Sequence, residues 1–319
     1  MKPELSSNNA TVLTIIVSYN AIDCLKKCIP SVKSDPISSD IFVIDNNSTP
    51  DVIQYLQAQD ELTLFQSSKN IGFGRANNIA LASALKNSYK YVFLLNQDAY
   101  IEKNCISDLV KIADENPEFG ILSPAHLNGR DDKLDPKFSQ NYVAPILPEL
   151  LHDIENGKSK SVYMSKYANA AAWLIRTRSL NLTGGFDPLF FMYGEDDDLC
   201  DRMRYHKQKI GICPSLFVNH TRHQSNQSTY MKRIVHLIKV QYSRNIYTAK
   251  YINRSFLSNF YVLSVNTFTV TLNKLLMQRK LETLFVSICA YIAAISKLYK
   301  IYSHWKQQKK RGAHWLVND

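Results

Sequence analysis

The sequence of 319 residues has few of the features that mark fibrous, disordered or disulfide-stabilised chains. It contains only 10 Gly and 11 Pro, and with 45 % hydrophobic and 11 % aromatic residues it is neither fibrous nor disordered. Its six cysteines form no CxxC pair, and a chain of this length builds a buried core without disulfides. We therefore expect reduced thiols in a cytoplasmic protein.

Long apolar runs are also missing. The first nine residues lack the apolar run of a signal peptide, and the first apolar segment, 12–17, is too short to span a bilayer. Residues 255–273 carry no formal charge but are diluted by Ser, Asn and Thr. Residues 283–296 fall short of the roughly 20 residues that a spanning helix needs. Helices that lie on a surface or pack against a partner fit both segments better than a spanning helix.

Acidic residues are nearly absent from the last third of the chain. From Arg222 to Asp319 there are 16 Lys and Arg but only two acids, a net charge of +14, whereas residues 1–221 carry a net charge of −4. The overall net charge of +10 is therefore an average of a slightly acidic body and a strongly basic tail. Such a tail suggests nucleic acid, an anionic membrane surface or a phosphorylated ligand as partner.

The first half alternates short β-rich runs with segments of helical spacing. Apolar strands separated by helices are typical of a mostly parallel sheet covered on both faces, so we predict an α/β fold. The predicted strands are 12–17, 41–44, 62–65, 91–95 and 119–122, and the predicted helices are 25–32, 52–58, 76–85 and 106–113.

Polar segments follow the predicted strands. They are residues 18–20, 45–48, 70–75 and 96–98. Each alone is typical of a turn or a helix N-cap. Because ligands bind at the carboxyl ends of parallel strands, the four together predict a binding cleft.

The second half begins less regularly. Residues 128–160 have no clear periodicity, and we expect a loop over the cleft. A second block follows, with strands at 170–175, 210–213 and 216–218, a turn at 184–187 and a helix from Leu199 onward.

Gly72-Phe73-Gly74 precedes a predicted helix. It lacks the third glycine of a dinucleotide fingerprint and does not directly follow the first strand. Two interpretations stay open, namely a tight turn, or backbone amides at a helix N-terminus that bind phosphate together with Arg75.

Three acidic or basic features suit catalysis. Asp98 follows a buried strand and is either an N-cap or an oxygen ligand for Mg²⁺ or Mn²⁺, which commonly bridge to substrate phosphates. The four acids at 195–198 are either helix N-terminal acids favoured by the macrodipole, or carboxylates whose repulsion raises a pKa and suits a general base. His220, at a strand end, is a structural histidine or a second ligand of the same ion.

Six segments, in this order, resemble the family 2 inverting glycosyltransferases. They are Thr14–Asn20, Val43–Ser48, Asn70–Asn78, Leu94–Asp98, Gly184–Asp187 and Phe191–Leu199. The resemblance runs from about Val12 to His223 and is greatest to the bacterial rhamnosyltransferase branch that builds cell-surface polysaccharides. Sister enzymes with similar motifs transfer galactofuranose and other sugars.

The resemblance implies a GT-A fold, a single α/β domain that binds a nucleotide sugar. The residues it implies for the donor are Ser18, Tyr19 and Asn20 at the base, Asp45 at the pyrimidine or ribose with Asn47 nearby, and Asn70, Gly72, Arg75, Asn78 and Gln97 around the nucleotide.

The resemblance also implies the catalytic residues. Asn96-Gln97-Asp98 occupies the position of the DxD motif, so Asp98 is the implied ligand of Mg²⁺ or Mn²⁺, with His220 as a second ligand. Asn96 departs from strict DxD, and Thr221-Arg222-His223 stand where family members often carry glycines. Glu195 and Asp196 match the catalytic acidic pair, with Asp196 as the base.

The expected function is an inverting transfer of a sugar, rhamnose from dTDP-rhamnose in the first instance, to a saccharide or lipid-linked acceptor. The alternatives are another sugar, such as galactofuranose from a UDP donor, or a non-catalytic GT-A-like binding protein. A scaffold of that last kind would lose its acids, but Asp45, Asp98 and Asp196 are all present.

We divide the chain into a catalytic domain of residues 1–223 and a basic helical region of residues 224–319. Apolar residues recur at helical spacing from Leu281 to Tyr302, and lysines and tryptophans overlap or follow them. This combination is typical of a membrane-surface helix, which would place the protein on the inner face of the cell membrane. The alternative is packing on its own domain or on a second subunit in a homo-oligomer. Nucleic acid is not expected, because no known module is present and the acids at 195–198 would repel phosphates.

Overall fold

The computed structural model describes residues 11–130, 133–221, 229–278 and 281–316. The predicted boundary between residues 223 and 224 lies outside these ranges, as do Arg222 and His223.

Within the described ranges, nine strands form one sheet. They are β1 (Val12–Ser18), β2 (Ser39–Asp45), β3 (Leu62–Gln66), β4 (Tyr91–Asn96), β5 (Ala99–Ile101), β6 (Phe119–Leu127), β7 (Tyr163–Ser165), β8 (Ala172–Arg176) and β9 (Lys209–His220). The sequence does not predict β5 and β7, because three residues are too few to show an alternating pattern.

The sheet is mixed, with most of its strands running in one direction. Its strand order is β3-β2-β1-β4-β8-β6-β9-β5, with β7 paired to β9. β1 runs parallel to β2 and β4, β2 to β3, and β6 to β9. The antiparallel strand β8 joins the two parallel groups through β4 and β6. This confirms the predicted α/β class.

Helices cover both faces of the sheet and form the C-terminal region. They are α1 (Ile22–Lys33), α2 (Pro50–Gln57), α3 (Phe73–Lys86), α4 (Cys105–Glu115), α5 (Pro136–Phe138), α6 (Leu147–Glu155), α7 (Thr177–Thr183), α8 (Glu195–Tyr205), α9 (Tyr230–Ala249), α10 (Phe256–Gln278), α11 (Leu281–Ile295) and α12 (Leu298–Gln307).

Alternation along the strands divides the core into two layers. On β1, Leu13 and Ile15 point into the layer that α3 and α8 cover, whereas Val12 and Ile16 point into the layer beneath α1, α2 and α4. All four side chains are fully buried. Each such side chain stabilises the fold by about 1.5–3 kcal/mol relative to exposure.

Two predictions about the second half are wrong in detail. Residues 128–160 are not irregular throughout, since they contain α5, a π-helical turn at Ser139–Val143 and α6. The two short strands at 210–213 and 216–218 are one strand, β9, whose register against β6 shifts between Pro124 and Ala125. The irregularity lets one strand continue through Pro214.

The C-terminal helices pack on the segment that precedes α8. Leu189 and Phe190 form a buried cluster with Ile246 of α9, Ala294 of α11 and Ile301 of α12. The helical spacing from Leu281 to Tyr302 does not form one helix, because the chain bends by 64° between α11 and α12.

Across the described residues, no single helix has the length and apolarity to cross a membrane. The bent pair Glu282–Ile295 and Leu298–Gln307 passes that test only when its two helices are taken together.

Candidate active site

The polar segments that follow β1, β2 and β4 meet at one edge of the sheet. Ser18 lies opposite Asp45, and Val17 lies opposite Asn96, so the three strands end level with one another. The Asn46 amide donates to the Ser18 carbonyl at 2.8 Å and carries this register beyond the strands. The parallel arrangement thus brings the predicted cleft residues together.

Two of these side chains carry buried oxygens that need a partner. Ser18 and Asp45 are 0 % and 1 % exposed, and the Ser18 Oγ and the Asp45 Oδ1 have no hydrogen-bond partner among the described residues. The other carboxylate oxygen of Asp45 accepts from the Ser48 amide at 3.1 Å. Because buried polar atoms are costly to leave unpaired, these two atoms suit a polar ligand.

The loops around this edge are held by their own side chains. Gln97 accepts from the Tyr19 amide at 2.8 Å and donates to the Tyr19 carbonyl at 3.0 Å. Asn20 accepts from the Thr49 amide at 2.9 Å, and its own amide donates to Ser48 Oγ at 3.0 Å. Tyr19 is left 45 % exposed, with its ring available to a ligand.

Asn47 and its neighbour Asn46 have different environments in the loop that follows β2. Asn47 is exposed and has a left-handed backbone with φ +69°. Asn46 is buried, accepts from the Ile71 amide at 2.8 Å and donates to Asn70 Oδ1 at 3.1 Å. Asn46 is not among the predicted site residues, and its only local signal is the Asn-Asn pair after β2.

The turn before α3 is built by Asn70 and Gly72. Asn70 Oδ1 accepts from the Gly72 amide at 2.9 Å, and Gly72 has φ +87°. A Cβ on Gly72 would lie 2.3 Å from the Phe191 carbonyl oxygen. Only glycine therefore permits this backbone contact between the turn and the segment before α8.

Arg75 and Asn78 contact the same segment from α3. Arg75 donates from Nε and Nη2 to the Pro188 carbonyl at 3.1 and 2.6 Å. Asn78 donates to the Phe186 carbonyl at 2.7 Å and accepts from the Phe186 amide at 2.8 Å. Both side chains thus hold the segment that carries the acids of α8.

Asp98 and His220 meet although they lie 122 positions apart in the sequence. The His220 Nε2 lies 3.4 Å from the Asp98 Oδ1, and the Thr221 amide donates to the Asp98 carbonyl at 3.0 Å. His220 is 5 % exposed, and its Nδ1 has no hydrogen-bond partner in the described part of the chain.

One carboxylate oxygen and one imidazole nitrogen at this separation fit a divalent cation. Within the described ranges, no group of three or more His, Cys, Asp or Glu is placed to hold a metal ion. Two protein ligands suit Mg²⁺ or Mn²⁺, because such ions complete their coordination with water and substrate phosphates.

The first acids of α8 lie in a low-dielectric environment. Burial, with repulsion from Asp196 in second place, raises the pKa of Glu195 to about 8. Burial and the neighbouring acids raise the pKa of Asp197 to about 7. Burial also raises the pKa of Asp196, although amide hydrogen bonds such as that from Asp197 at 3.0 Å oppose the rise. Carboxyls with raised pKa values near neutrality suit proton transfer.

The fourth acid of the run, Asp198, belongs to a buried ion-pair network. It pairs with Arg202 Nε at 2.9 Å and with Lys250 at the end of α9. The Lys250 Nζ also lies 2.8 Å from the Asp187 Oδ2, and the Asp187 Oδ1 lies 2.7 Å from the His304 Nδ1 of α12. Burial favours neutral Asp187, but Lys250 and His304 outweigh this and hold its pKa well below the usual range.

This network joins the C-terminal helices to the acidic helix. No local pattern marks Lys250 or His304, because their importance arises only from contacts across 63 and 117 residues of sequence. The sequence alone therefore identifies neither residue.

Comparison with known proteins connects this arrangement to a family. The family model described as "Glycosyl transferase family 2" matches residues 14–173. The chain is 26 % identical over 235 residues to "Rhamnosyltransferase WbbL" of Escherichia coli (strain K12), covering 69 % of this chain and 87 % of that protein. It is 25 % identical over 228 residues to "Low-salt glycan biosynthesis hexosyltransferase Agl10" of Haloferax volcanii, which covers 68 % of this chain and 71 % of that protein.

Solved structures share the fold at lower identity. The mannosyltransferase PcManGT from Pyrobaculum calidifontis, in complex with GDP-Man and Mn²⁺, aligns with a TM-score of 0.55 and 16 % identity over 97 % of this chain and 84 % of that one. S. aureus TarS 1-349 in complex with UDP aligns with a TM-score of 0.51 and 18 % identity over 93 % and 87 %.

Proposed function

Because the chain belongs to glycosyl transferase family 2, we propose that it transfers rhamnose from dTDP-rhamnose, with inversion, to a saccharide or lipid-linked acceptor in the synthesis of cell-surface polysaccharide. The choice of rhamnose is supported by the likeness to a rhamnosyltransferase over 69 % of this chain. The observation that carries the proposal is the Asp98–His220 pair at the strand-end edge that also bears Ser18 and Asp45.

The donor is proposed to bind along this edge. The buried Ser18 Oγ and Asp45 Oδ1 have no partner in the described residues, so both can bond to the base or ribose. Tyr19 offers an exposed ring beside them, and Asn47 is exposed on the next loop. In this proposal Asn20, Asn70, Gly72, Arg75, Asn78 and Gln97 shape the loops that surround the nucleotide, through the hydrogen bonds and close contacts described above.

We assign Asp98 and His220 as the protein ligands of Mg²⁺ or Mn²⁺. When bound, the cation supplies positive charge that stabilises the departing diphosphate. That the mannosyltransferase PcManGT, which shares the fold, has been solved with GDP-Man and Mn²⁺ supports the choice of a divalent ion. Asp98 would contribute a carboxylate oxygen, the ligand type that both ions prefer, and His220 an imidazole nitrogen.

Asp196 is the proposed base. It accepts the proton of the acceptor hydroxyl while that oxygen attacks the anomeric carbon from the face opposite the diphosphate. The bond from the anomeric carbon to the diphosphate oxygen breaks in the same displacement, which inverts the centre without a covalent enzyme intermediate. Glu195 stands beside it with an unpartnered Oε2 among the described atoms and a pKa of about 8, which suits a protonated neighbour.

The experiment compares Asp196→Asn with the adjacent Asp197→Asn. Both variants remove one carboxylate from the same turn, and circular dichroism checks that both fold. We expect Asp196→Asn to abolish Mn²⁺-dependent hydrolysis of dTDP-rhamnose, in which water takes the place of the acceptor hydroxyl, and Asp197→Asn to retain most of it. Wild-type turnover by folded Asp196→Asn would exclude Asp196 as the base.

Two further arms of this assay test the donor and the class of protein. UDP-galactofuranose in place of dTDP-rhamnose tests the alternative sugar. If a donor is bound but not hydrolysed, with or without Mn²⁺, the chain is a binding protein that keeps the fold without the activity.

We also propose that the C-terminal helices lie on the anionic inner surface of the cell membrane. On α10, the exposed apolar residues Leu257, Tyr261, Val265, Phe268 and Leu272 follow one another at intervals of three or four residues and form one stripe. Phe285, Ile288 and Ile292 repeat the pattern on α11. Exposed apolar stripes on a region of net charge +14 suit an anionic bilayer.

Vesicle sedimentation tests this surface. We expect Tyr261→Ser/Phe268→Ser to lose binding to vesicles that contain anionic lipid, whereas Leu134→Ser/Met164→Ser, which changes two exposed apolar residues elsewhere, retains it. The stripe is instead a contact between two copies if the wild type does not bind vesicles and is a dimer in solution. In that case Tyr261→Ser/Phe268→Ser should be a monomer.

A further inference from the structure

A strongly charged cavity lies at the C-terminal end of α8. It measures about 630 Å³ and is lined by five basic residues, Arg204, His206, Lys207, Lys309 and Arg311. Tyr205 and Asn253 complete the lining, so the cavity has no acidic residue in its wall among the described residues. Glu195 begins α8 and Tyr205 ends it, which separates this cavity from the catalytic acids by the length of an 11-residue helix, about 16 Å.

The positive charges of this basic cavity are poorly compensated. Arg204 pairs with Asp201 at 3.1 Å. In the described part of the chain, Lys207, Lys309 and Arg311 have no carboxylate within ion-pair distance. The Lys309 Nζ instead lies over the Trp305 ring, 3.9 Å from its centroid. Three cations therefore face one cavity without an anion.

The pKa values of two lining residues are lowered, as expected for groups in a cavity with excess positive charge. Burial lowers the pKa of Lys309. Burial, together with the positive charges of Arg202 and Arg311, lowers the pKa of His206. An anion in the cavity would relieve both effects, because it offsets the desolvation and the mutual repulsion of the cations.

The end of α8 does not oppose an anion here. The carbonyls at a helix C-terminus carry partial negative charge, which disfavours anions. In this helix the carbonyls of Arg202, Met203 and Arg204 accept from the amides of residues 206–208, and Lys207 turns the chain with φ +65°. The turn thus satisfies these carbonyls by hydrogen bonds, and basic side chains lie between them and the cavity.

We propose that the basic cavity binds a phosphate or diphosphate group, at a site separate from the donor site. Guanidinium and ammonium groups are the side-chain groups that recognise phosphate oxygens, the guanidinium by paired hydrogen bonds. The volume of about 630 Å³ exceeds that of a phosphate, which leaves room for the group that carries it. The phosphate belongs either to a soluble molecule or to the headgroup of a lipid.

The test uses the full chain and the exposed pair Lys207 and Arg311. Calorimetric titration with inorganic phosphate and pyrophosphate, in metal-free buffer of low ionic strength, compares wild type, Lys207→Gln/Arg311→Gln and the control Lys26→Gln/Lys103→Gln. The control removes the same two charges from exposed positions elsewhere. We expect the cavity variant to bind at least about tenfold more weakly than wild type and the control to bind like wild type.

Binding that survives unchanged in the cavity variant would overturn the proposal, as would wild type that binds neither probe at millimolar concentration. Asp98→Ala, which alters the proposed cation site, should retain the binding, and its loss there would also overturn the proposal.

A second arm identifies the source of the phosphate. Vesicles of phosphatidylcholine with and without phosphatidic acid are sedimented with the same three proteins. If the cavity variant loses the preference for phosphatidic acid, the phosphate is a lipid headgroup. If vesicle binding is unchanged while phosphate binding is lost, the ligand is soluble.

Discussion

Lys250 is the buried cation that neutralises two acids, Asp187 before α8 and Asp198 within it. Its ammonium group is fully buried and pairs with Asp187 and Asp198, which are themselves 0 % and 4 % exposed. Replacement by Met keeps most of the side-chain volume but removes the charge. Asp198 would then keep its pairing with Arg202, and of these ion pairs Asp187 would keep only its contact with His304.

We expect Lys250→Met to lower the free energy of unfolding by about 3–5 kcal/mol, the usual loss when one partner of a buried ion pair is removed. Urea unfolding followed by circular dichroism measures this difference. The matched control is Lys300→Met, since Lys300 is an exposed lysine on α12. That change should alter the free energy by no more than about 0.5 kcal/mol.

The pH dependence of the free energy of unfolding tests whether the ion pair of Asp187 accounts for the loss. The pKa of Asp187 is lowered in the folded protein, so its pairing stabilises the fold above its unfolded pKa of about 4 and is lost as the pH falls further. The difference between wild type and Lys250→Met should therefore shrink below about pH 4.

A double variant completes the test. Asp187→Asn should be less destabilising in the Lys250→Met background than in wild type, because the uncompensated charge has been removed. Wild-type stability in Lys250→Met, or equal effects of Asp187→Asn in both backgrounds, would refute this account of the network.

Two other predictions concern the turn before α3 and the first acid of α8. Gly72→Ala should destabilise the protein by about 2 kcal/mol or more, clearly beyond Gly157→Ala, because both glycines have positive φ but only a Cβ on Gly72 meets a backbone oxygen, that of Phe191. Thermal unfolding compares the two variants, and equal losses would contradict the steric argument. Glu195 has a pKa of about 8 against an ordinary 4.5, so the folded state holds the extra proton between these values and stability falls as the pH rises through that range. Glu195→Gln should flatten this slope in urea unfolding between pH 5 and 8, and an unchanged slope would show that Glu195 does not hold the proton.

Much of the fold is readable from local patterns. The strand β1 is an apolar run that ends at Ser18-Tyr19-Asn20, and the same sequence of apolar run and polar end recurs at β2 and β4. A parallel sheet necessarily places such ends at one edge, so their convergence follows from the sequence pattern alone.

Local patterns are less informative where tertiary pairing overrides them. Residues 128–160 look irregular because they contain prolines and few apolar repeats, yet they include α6, which has Pro148 in its first turn, where a helix tolerates proline. The strand β9 looks like two strands because Pro214 interrupts it, and only its pairing with β6 shows that the strand continues.

The candidate site divides in the same way. The sequence alone supplies the candidate groups, because Asp98, His220, Glu195 and Asp196 are residue types that can bind cations or transfer protons. Which partner each group meets depends on contacts across more than 50 residues, and this the tertiary structure decides. It sets Asp98 3.4 Å from His220, directs Arg75 and Asn78 to the backbone of the segment before α8, and anchors that segment through Lys250.

The basic tail is the clearest case. Its net charge of +14 is a property of the sequence, and charge by itself does not say which cations are neutralised. The fold buries Lys250 between two carboxylates and leaves Lys309 and Arg311 facing a cavity whose described lining has no acid. Burial and distance, which set the strength of every electrostatic interaction, exist only once the chain has folded.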